Sequence, residues 1–177
     1  LHGLVSARAI ATTGRDDGRD PVIGSGTTAT GRALMEMLNA YCGLDRDPRG
    51  VVHLTICHAG SLNILGSAAI AGLRDGLKAL AEERELRVLV LRGQGDKSLI
   101  GGADIKEMAR LDQTSAETFI TGLRDLCEGL RRFPAPVIAR LPGWCLGGGL
   151  EVAAACDIRI AADEAKFGMP EVRVGIP

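Results

Sequence analysis

The chain has 177 residues, a net charge of −1, and 46% hydrophobic, 24% charged and 3% aromatic residues. That is the composition of an ordinary globular domain with a sizeable core, with neither a basic field for nucleic acid nor aromatic platforms for base stacking. No apolar run approaches the roughly 18 residues of a membrane span, and five cysteines without a C-x-x-C pair indicate a reduced compartment rather than a disulfide framework.

Residues 1 to 50 carry little signal and are set apart as an N-terminal segment. The run TTGRDDGRDPVIGSGTTATG reads as loop. Residues 31–41 predict a short helix with Leu34, Met37 and Leu38 on one side. A targeting leader is weakly supported, because acidic residues are as common there as arginines. The chain starts at Leu1 and stops at VGIP, and both ends are expected to be cut.

From Val51 the pattern sharpens. VVHLTIC is a β-branched, apolar strand, and HAGSLNILG a loop. Residues 67–84 are helical, with Ile70, Leu73, Leu77 and Leu80 at three- and four-residue spacing and charges opposite. RVLVL (87–91) is a buried strand with a glycine-rich exit, GQGDKSLIGGADIKEM. A second helix spans about 115–132, its apolar stripe Ile120, Leu123, Cys127 and Leu130. Thr114 and Glu117 have capping-box spacing at its start, and Pro134 and Pro136 stop it. Residues 137–141 form the next strand, Pro142-Gly143 a turn, 148–155 a helix and 158–161 a short strand. Strands alternating with helices give an α/β domain over residues 51–177.

The chemistry concentrates in LPGWCLGGGLEVAAACDIRIAADEAKFGMPE, residues 141–171. Three glycines let backbone approach a ligand and then open a helix whose free amides favour an oxygen carrying negative charge. Glu151 falls in the first turns of that helix. Its apolar neighbours Leu150, Val152, Ala153 and Ala154 predict a buried carboxyl, which needs a reason. Alone, the triple glycine also fits simple close packing of helix on strand, and Glu171 is an ordinary loop charge. If Glu171 folds back, two carboxyl groups meet an oxyanion binder, a kit for acid/base chemistry beside a carbonyl.

Other motifs fail. Gly93-Gln-Gly95 follows a strand, but Ser98 replaces the third glycine of a dinucleotide fingerprint; Gly24-Ser-Gly26 lacks a strand before it, and no Lys-Ser/Thr pair follows the triple glycine. His2, His53 and His58 have no ligand spacing, so no metal is expected, and His53 reads as a satisfied strand residue. Cys145 has no histidine nearby in sequence to activate it.

Two segments then resemble the enoyl-CoA hydratase/isomerase (crotonase) family. One is Gly101-Gly102-Ala103-Asp104-Ile105-Lys106-Glu107; the other is 136–177, with GGGLE, ACDIRIA, FGMPE and VGIP in family order. Ser61-Leu62-Asn63-Ile64 is a weaker match. The resemblance implies the crotonase-like (ClpP/crotonase) fold, a spiral of ββα units, with the family's C-terminal helical region absent from this sequence. It implies that the amides of Ala103 and Gly148 hold the thioester oxygen of an acyl-CoA. By the same resemblance Glu151 is the base that directs water to C3 and Glu171 gives a proton to C2, so that water adds to one face of a trans-2-enoyl-CoA. Ser61, Leu62, Asn63, Gly102, Asp104, Ile105, Lys106 and Gly147 are the implied substrate or CoA contacts. Gly60 stands where the family often has lysine.

The resemblance further implies a hydro-lyase without a cofactor, since coenzyme A arrives on the substrate. The implied assembly is a homotrimer or a hexamer built as a dimer of trimers, without nucleic acid or membrane partners. The implied compartment is the cytoplasm, or the mitochondrial matrix in a eukaryote. Double-bond isomerisation, with Glu171 shuttling a proton between C2 and C4, is the rival within the class. A non-catalytic CoA-binding or assembly module is the rival outside it.

Overall fold

The computed structural model describes residues 35–175. Two sheets organise the chain. The first has six strands in the order β1 (Glu36–Asn39), β2 (Cys42–Asp47), β3 (Val51–Ile56), β4 (Val88–Gly93), β6 (Val137–Leu141) and β8 (Ile158–Ala161). Pairing is antiparallel from β1 to β3 and parallel from β3 to β8. The second sheet is three short parallel strands in the order β5 (Ser98–Ile100), β7 (Trp144–Leu146) and β9 (Lys166–Gly168). The helices are α1 (Ser67–Ala81), α2 (Ile105–Met108), α3 (Gln113–Arg131) and α4 (Gly148–Ala155), followed by a 3-10 turn, Pro170–Val174.

The elements recur as one unit. A strand of the large sheet leads to a strand of the small sheet and then to a helix: β4, β5, α3; β6, β7, α4; β8, β9, the 3-10 turn. The unit that starts at β3 reaches the same level through an isolated parallel bridge between Leu65 and Ala103 before α1. This is the expected spiral of ββα units.

The core lies between one face of the large sheet and helices α1 and α3. Val52, Leu54 and Ile56 of β3, Leu89 and Leu91 of β4, and Val137, Ala139 and Leu141 of β6 all point into it. Ile70, Leu73, Leu77 and Leu80 of α1 meet them, as the spacing predicted. Each of these Val, Leu and Ile side chains contributes about 1.5 to 3 kcal/mol by leaving water, and Ala139 less.

Several expectations are corrected. Residues 36–39 are a strand rather than part of a helix (residues 31–34 lie outside the described residues). Asn39 Oδ1 accepts from the Tyr41 amide at 2.8 Å, making the turn that folds β1 onto β2, and β2 pairs along the whole of β3. Cross-strand bonding thus overrides a weak helical period, and the sheet starts at Glu36 rather than Val51. β4 alternates between buried and half-buried positions instead of being buried throughout, because the described helices cover only one of its faces. In α3 the buried residues are Phe119, Gly122, Leu123, Leu126 and Leu130. Ile120 is 54% exposed, so the buried stripe starts one position earlier than expected. The capping box is Asp112 with Ser115, not Thr114 with Glu117.

All five cysteines are free, and four are buried. No group suited to a metal occurs among the described residues, nor any helix there long and apolar enough to cross a membrane. His53, expected to be satisfied, keeps a buried Nδ1 without a hydrogen-bond partner among the described residues.

Candidate active site

The small sheet assembles the site. Its three strands run parallel and side by side, so their carboxyl ends open on the same edge. Past β5 come Gly101, Gly102 and Ala103. Past β7 come Gly147 and Gly148, and past β9 come Met169, Pro170 and Glu171. Neighbouring strands sit about 4.8 Å apart, so segments far apart in sequence become neighbours. Ligands of α/β proteins commonly lie outside the carboxyl ends of parallel strands.

The loop after β5 is fixed from behind. The Gly101 amide donates to Leu62 O at 2.7 Å, the Leu65 amide to Gly102 O at 2.9 Å, and the Asp104 amide to Leu65 O at 2.9 Å. A parallel bridge of this kind uses the peptide groups on either side of Ala103 and turns its own N–H the other way. That N–H donates to no group among the described residues. Gly102 has φ +124°, in the region open to glycine, and a β-carbon there would stand 3.7 Å from Leu146 O. The loop therefore runs beside the end of β7.

At that end Gly147 has φ +50° and ψ −125°, a conformation that side chains resist. Its amide donates to Gly168 O at 2.9 Å, and its carbonyl accepts from the Leu150 and Glu151 amides at 2.8 and 3.2 Å. Gly148 is thus the first residue of α4, and its N–H has no acceptor among the described residues, as the geometry of a helix start dictates. Of the three glycines Gly149 lies tightest, since a β-carbon there would run into the carbonyl oxygen and side chain of Ile100. Close packing and exposed amides are both reasons for the triple glycine.

Both carboxylates face this glycine pair. A methyl on Gly147 would lie 3.2 Å from Glu171 Oε2, and one on Gly148 would lie 3.7 Å from Glu151 Oε2. Glu171 Oε2 is buried and has no hydrogen-bond partner among the described residues. The expectation of a buried Glu151 is corrected, since its side chain is exposed. Gly148, Gly149, Val152, Ala153 and Ala155 form the buried face of α4, and position 151 falls outside that face at 100° per residue. Apolar sequence neighbours on a helix do not share one direction.

The remaining candidates divide. Ser61, Leu62, Ile105 and Lys106 are exposed around the loop, Ile105 at 78%. Asn63 is fully buried: its Nδ2 donates to Ser98 O at 3.0 Å and Gln94 O at 3.3 Å, and its Oδ1 accepts from the Gln94 amide at 3.2 Å. Its side chain shapes the loop and is not free for a ligand. Asp104 Oδ1 caps α2, accepting from the Lys106 and Glu107 amides at 2.9 and 3.1 Å. Leu123 of α3 was read only as core. Its Cδ2 would lie 3.2 Å from a methyl on Gly148, so it walls the site. The i, i+3, i+4 pattern put Leu123 inward but gave no clue that Gly148 lay opposite.

Burial pushes the thiols of Cys42 and Cys145 up to about 11 and that of Cys156 up to about 12. Cys145 Sγ lies 3.3 Å from Gly149 O, so it packs as a protonated thiol behind the glycines.

Comparison with known proteins gives the family. A sequence profile described as "Enoyl-CoA hydratase/isomerase" matches residues 46–177. Enoyl-CoA hydratase domain-containing protein 2, mitochondrial, of Bos taurus is 36% identical over 76% of this chain and 46% of its own length. Crotonyl-CoA hydratase of Syntrophomonas wolfei is 38% identical over 66% of this chain and 45% of its own. A crystal structure of enoyl-CoA hydratase from Bacillus anthracis superposes with a TM-score of 0.73 at 34% identity, covering 77% of this chain and 53% of that one. The chain therefore spans about half the length of these relatives.

Proposed function

The chain belongs to the enoyl-CoA hydratase/isomerase family, and from that premise we propose that it hydrates a trans-2-enoyl-CoA thioester. One observation carries the reading: two carboxylates flank the Gly147-Gly148 pair, whose second amide has no partner among the described residues. Relatives named crotonyl-CoA hydratase and short-chain-enoyl-CoA hydratase support it.

In this reading the thioester oxygen accepts from the amides of Ala103 and Gly148. Electron density moves onto that oxygen as water attacks C3, so donors fixed beforehand stabilise the enolate more than the substrate. Each is worth about 3 to 4 kcal/mol in comparable sites. Glu151, within reach of solvent, takes a proton from the attacking water as its oxygen bonds to C3. Glu171 supplies the proton to C2, and its unpartnered Oε2 is the oxygen that meets substrate or water. In this reading, as the family resemblance implies, water and proton add to the same face. No cofactor takes part, coenzyme A being part of the substrate, and Ile105 and Lys106 are the proposed walls of its slot.

Crotonyl-CoA tests this directly. Its enone absorbance falls on addition of the protein if water adds across C2–C3, and an unchanged spectrum overturns the reading. A second reading has an observation of its own. Glu171 holds a buried oxygen without a partner among the described residues while Glu151 is exposed, which suits a single acid moving a proton between C2 and C4. A 3-enoyl-CoA would then gain the enone band, and crotonyl-CoA would keep it.

A further inference from the structure

Helix α1 has no cap of its own. Its N-cap is Gly66, which offers no side chain, and its first turn holds no acidic residue. The first amide of a helix needs an acceptor, and here it comes from a distant element. Ser67 N–H donates to the carboxylate of Glu107 in α2, 3.0 Å from Oε2 and 3.3 Å from Oε1. Gly66 makes the room, since a β-carbon there would stand 2.6 Å from Glu107 Oε2. Its φ of −94° suits any residue, so space rather than backbone conformation favours glycine at this position.

This contact closes a ring. Leu65, Gly66 and Ser67 lead to Glu107; Asp104 caps the turn that carries Glu107; Ala103 precedes Asp104; and the Leu65–Ala103 bridge returns to the start. A four-residue helix such as α2 has no stability of its own, so its orientation depends on such ties. The bridge fixes one end of the segment and the Glu107 carboxylate fixes the other.

We infer that Glu107 is a positioning residue: by capping α1 it sets the direction of the Ala103 N–H. The inference rests on the proposed role of that amide as a thioester donor. A misplacement of about 1 Å in such a donor costs up to roughly 100-fold in rate, and Ile105 and Lys106, the proposed walls of the CoA slot, ride on the same short helix.

The test is Glu107→Ala in the whole protein. Three readouts are taken: turnover of crotonyl-CoA, the absorbance red shift of a bound cinnamoyl-CoA (which reports polarisation of the thioester carbonyl), and melting temperature. Expected are a kcat lower by about tenfold or more, a raised KM because Ile105 and Lys106 share α2 with Glu107, and a diminished red shift. Glu107→Gln keeps an acceptor oxygen and stays within about threefold of the parent. Gly66→Ser added to Glu107→Ala gives α1 a cap of its own without reaching α2, so melting temperature recovers and kcat does not. An undiminished kcat in Glu107→Ala overturns the inference, as does recovery of kcat together with stability in the double variant. Should the parent itself neither hydrate nor polarise the thioester, the proposed function falls instead. Hydrogen exchange at the Leu65 and Asp104 amides, whose bonds hold the bridge to Ala103, then decides the tie: faster exchange in Glu107→Ala upholds it, and unchanged exchange overturns it.

Discussion

The carboxylate of Glu171 ends 3.2 Å from the point where a β-carbon would stand on Gly147. That point is empty only because residue 147 is glycine, at a φ of +50°. The pairing of an acid with a missing side chain links backbone conformation to chemistry. Gly147→Ala is expected to cost about 1 to 2 kcal/mol in stability from the left-handed backbone. It is also expected to lower turnover by more than tenfold, because the methyl pushes on Oε2. Urea denaturation and crotonyl-CoA turnover check the two parts separately.

Removing either charge leaves shape in place. Glu151→Gln and Glu171→Gln are each expected to lower kcat by at least about tenfold, within the usual range for a positioned proton transfer. Affinity for a non-reacting acyl-CoA stays nearly as in the parent, since neither acid is placed against the CoA moiety. Calorimetric binding and initial rates measure both. Undiminished turnover in the two variants would refute the paired-acid assignment.

Asn63 is expected to matter to stability more than to affinity. It is fully buried at a φ of +54°, and its amide serves Ser98 O, Gln94 O and the Gln94 N–H. Asn63→Ala takes the amide donor from Ser98 O and Gln94 O, leaves the Gln94 N–H with Ile56 O alone, and strains the backbone, at a cost of about 2 to 4 kcal/mol. A fall in the urea midpoint with little change in acyl-CoA Kd is the expected result.

The buried thiols set an alkaline limit. Cys42 and Cys145 are pushed up to about 11 and Cys156 to about 12, from an ordinary value near 9. The folded state thus holds these protons more tightly than the unfolded chain. Their contribution to stability is complete below about pH 9 and is lost as pH rises toward 11 to 12. Urea midpoints at pH 7.5, 9 and 10.5 should decline mainly over the last step, which ends about 1.5 pH units past the unfolded value. Replacing Cys156 with Ala should flatten that decline, and an equally steep fall in the variant counts against this origin.

The letters GGADIKE and GGGLE were enough to name the family, and the period of Ile70, Leu73, Leu77 and Leu80 was enough to place α1 on the core. These signals are local: a glycine pair, a helical repeat and a run of β-branched residues each act over a few positions. Three-residue strands such as β5, β7 and β9 have no period to read, so the small sheet was invisible, as was the hairpin of β1 and β2. That small sheet is what aligns Ala103, Gly148 and Glu171 along one edge. The direction of Glu151 and the reach of Glu107 to Ser67 were equally hidden, for they depend on which face of a helix is left uncovered and on contacts 40 residues apart. Sequence by itself determined which groups are available and which segments must bury; only tertiary pairing decided where those groups meet, because hydrogen bonding between distant strands leaves no mark on the order of residues within any one of them.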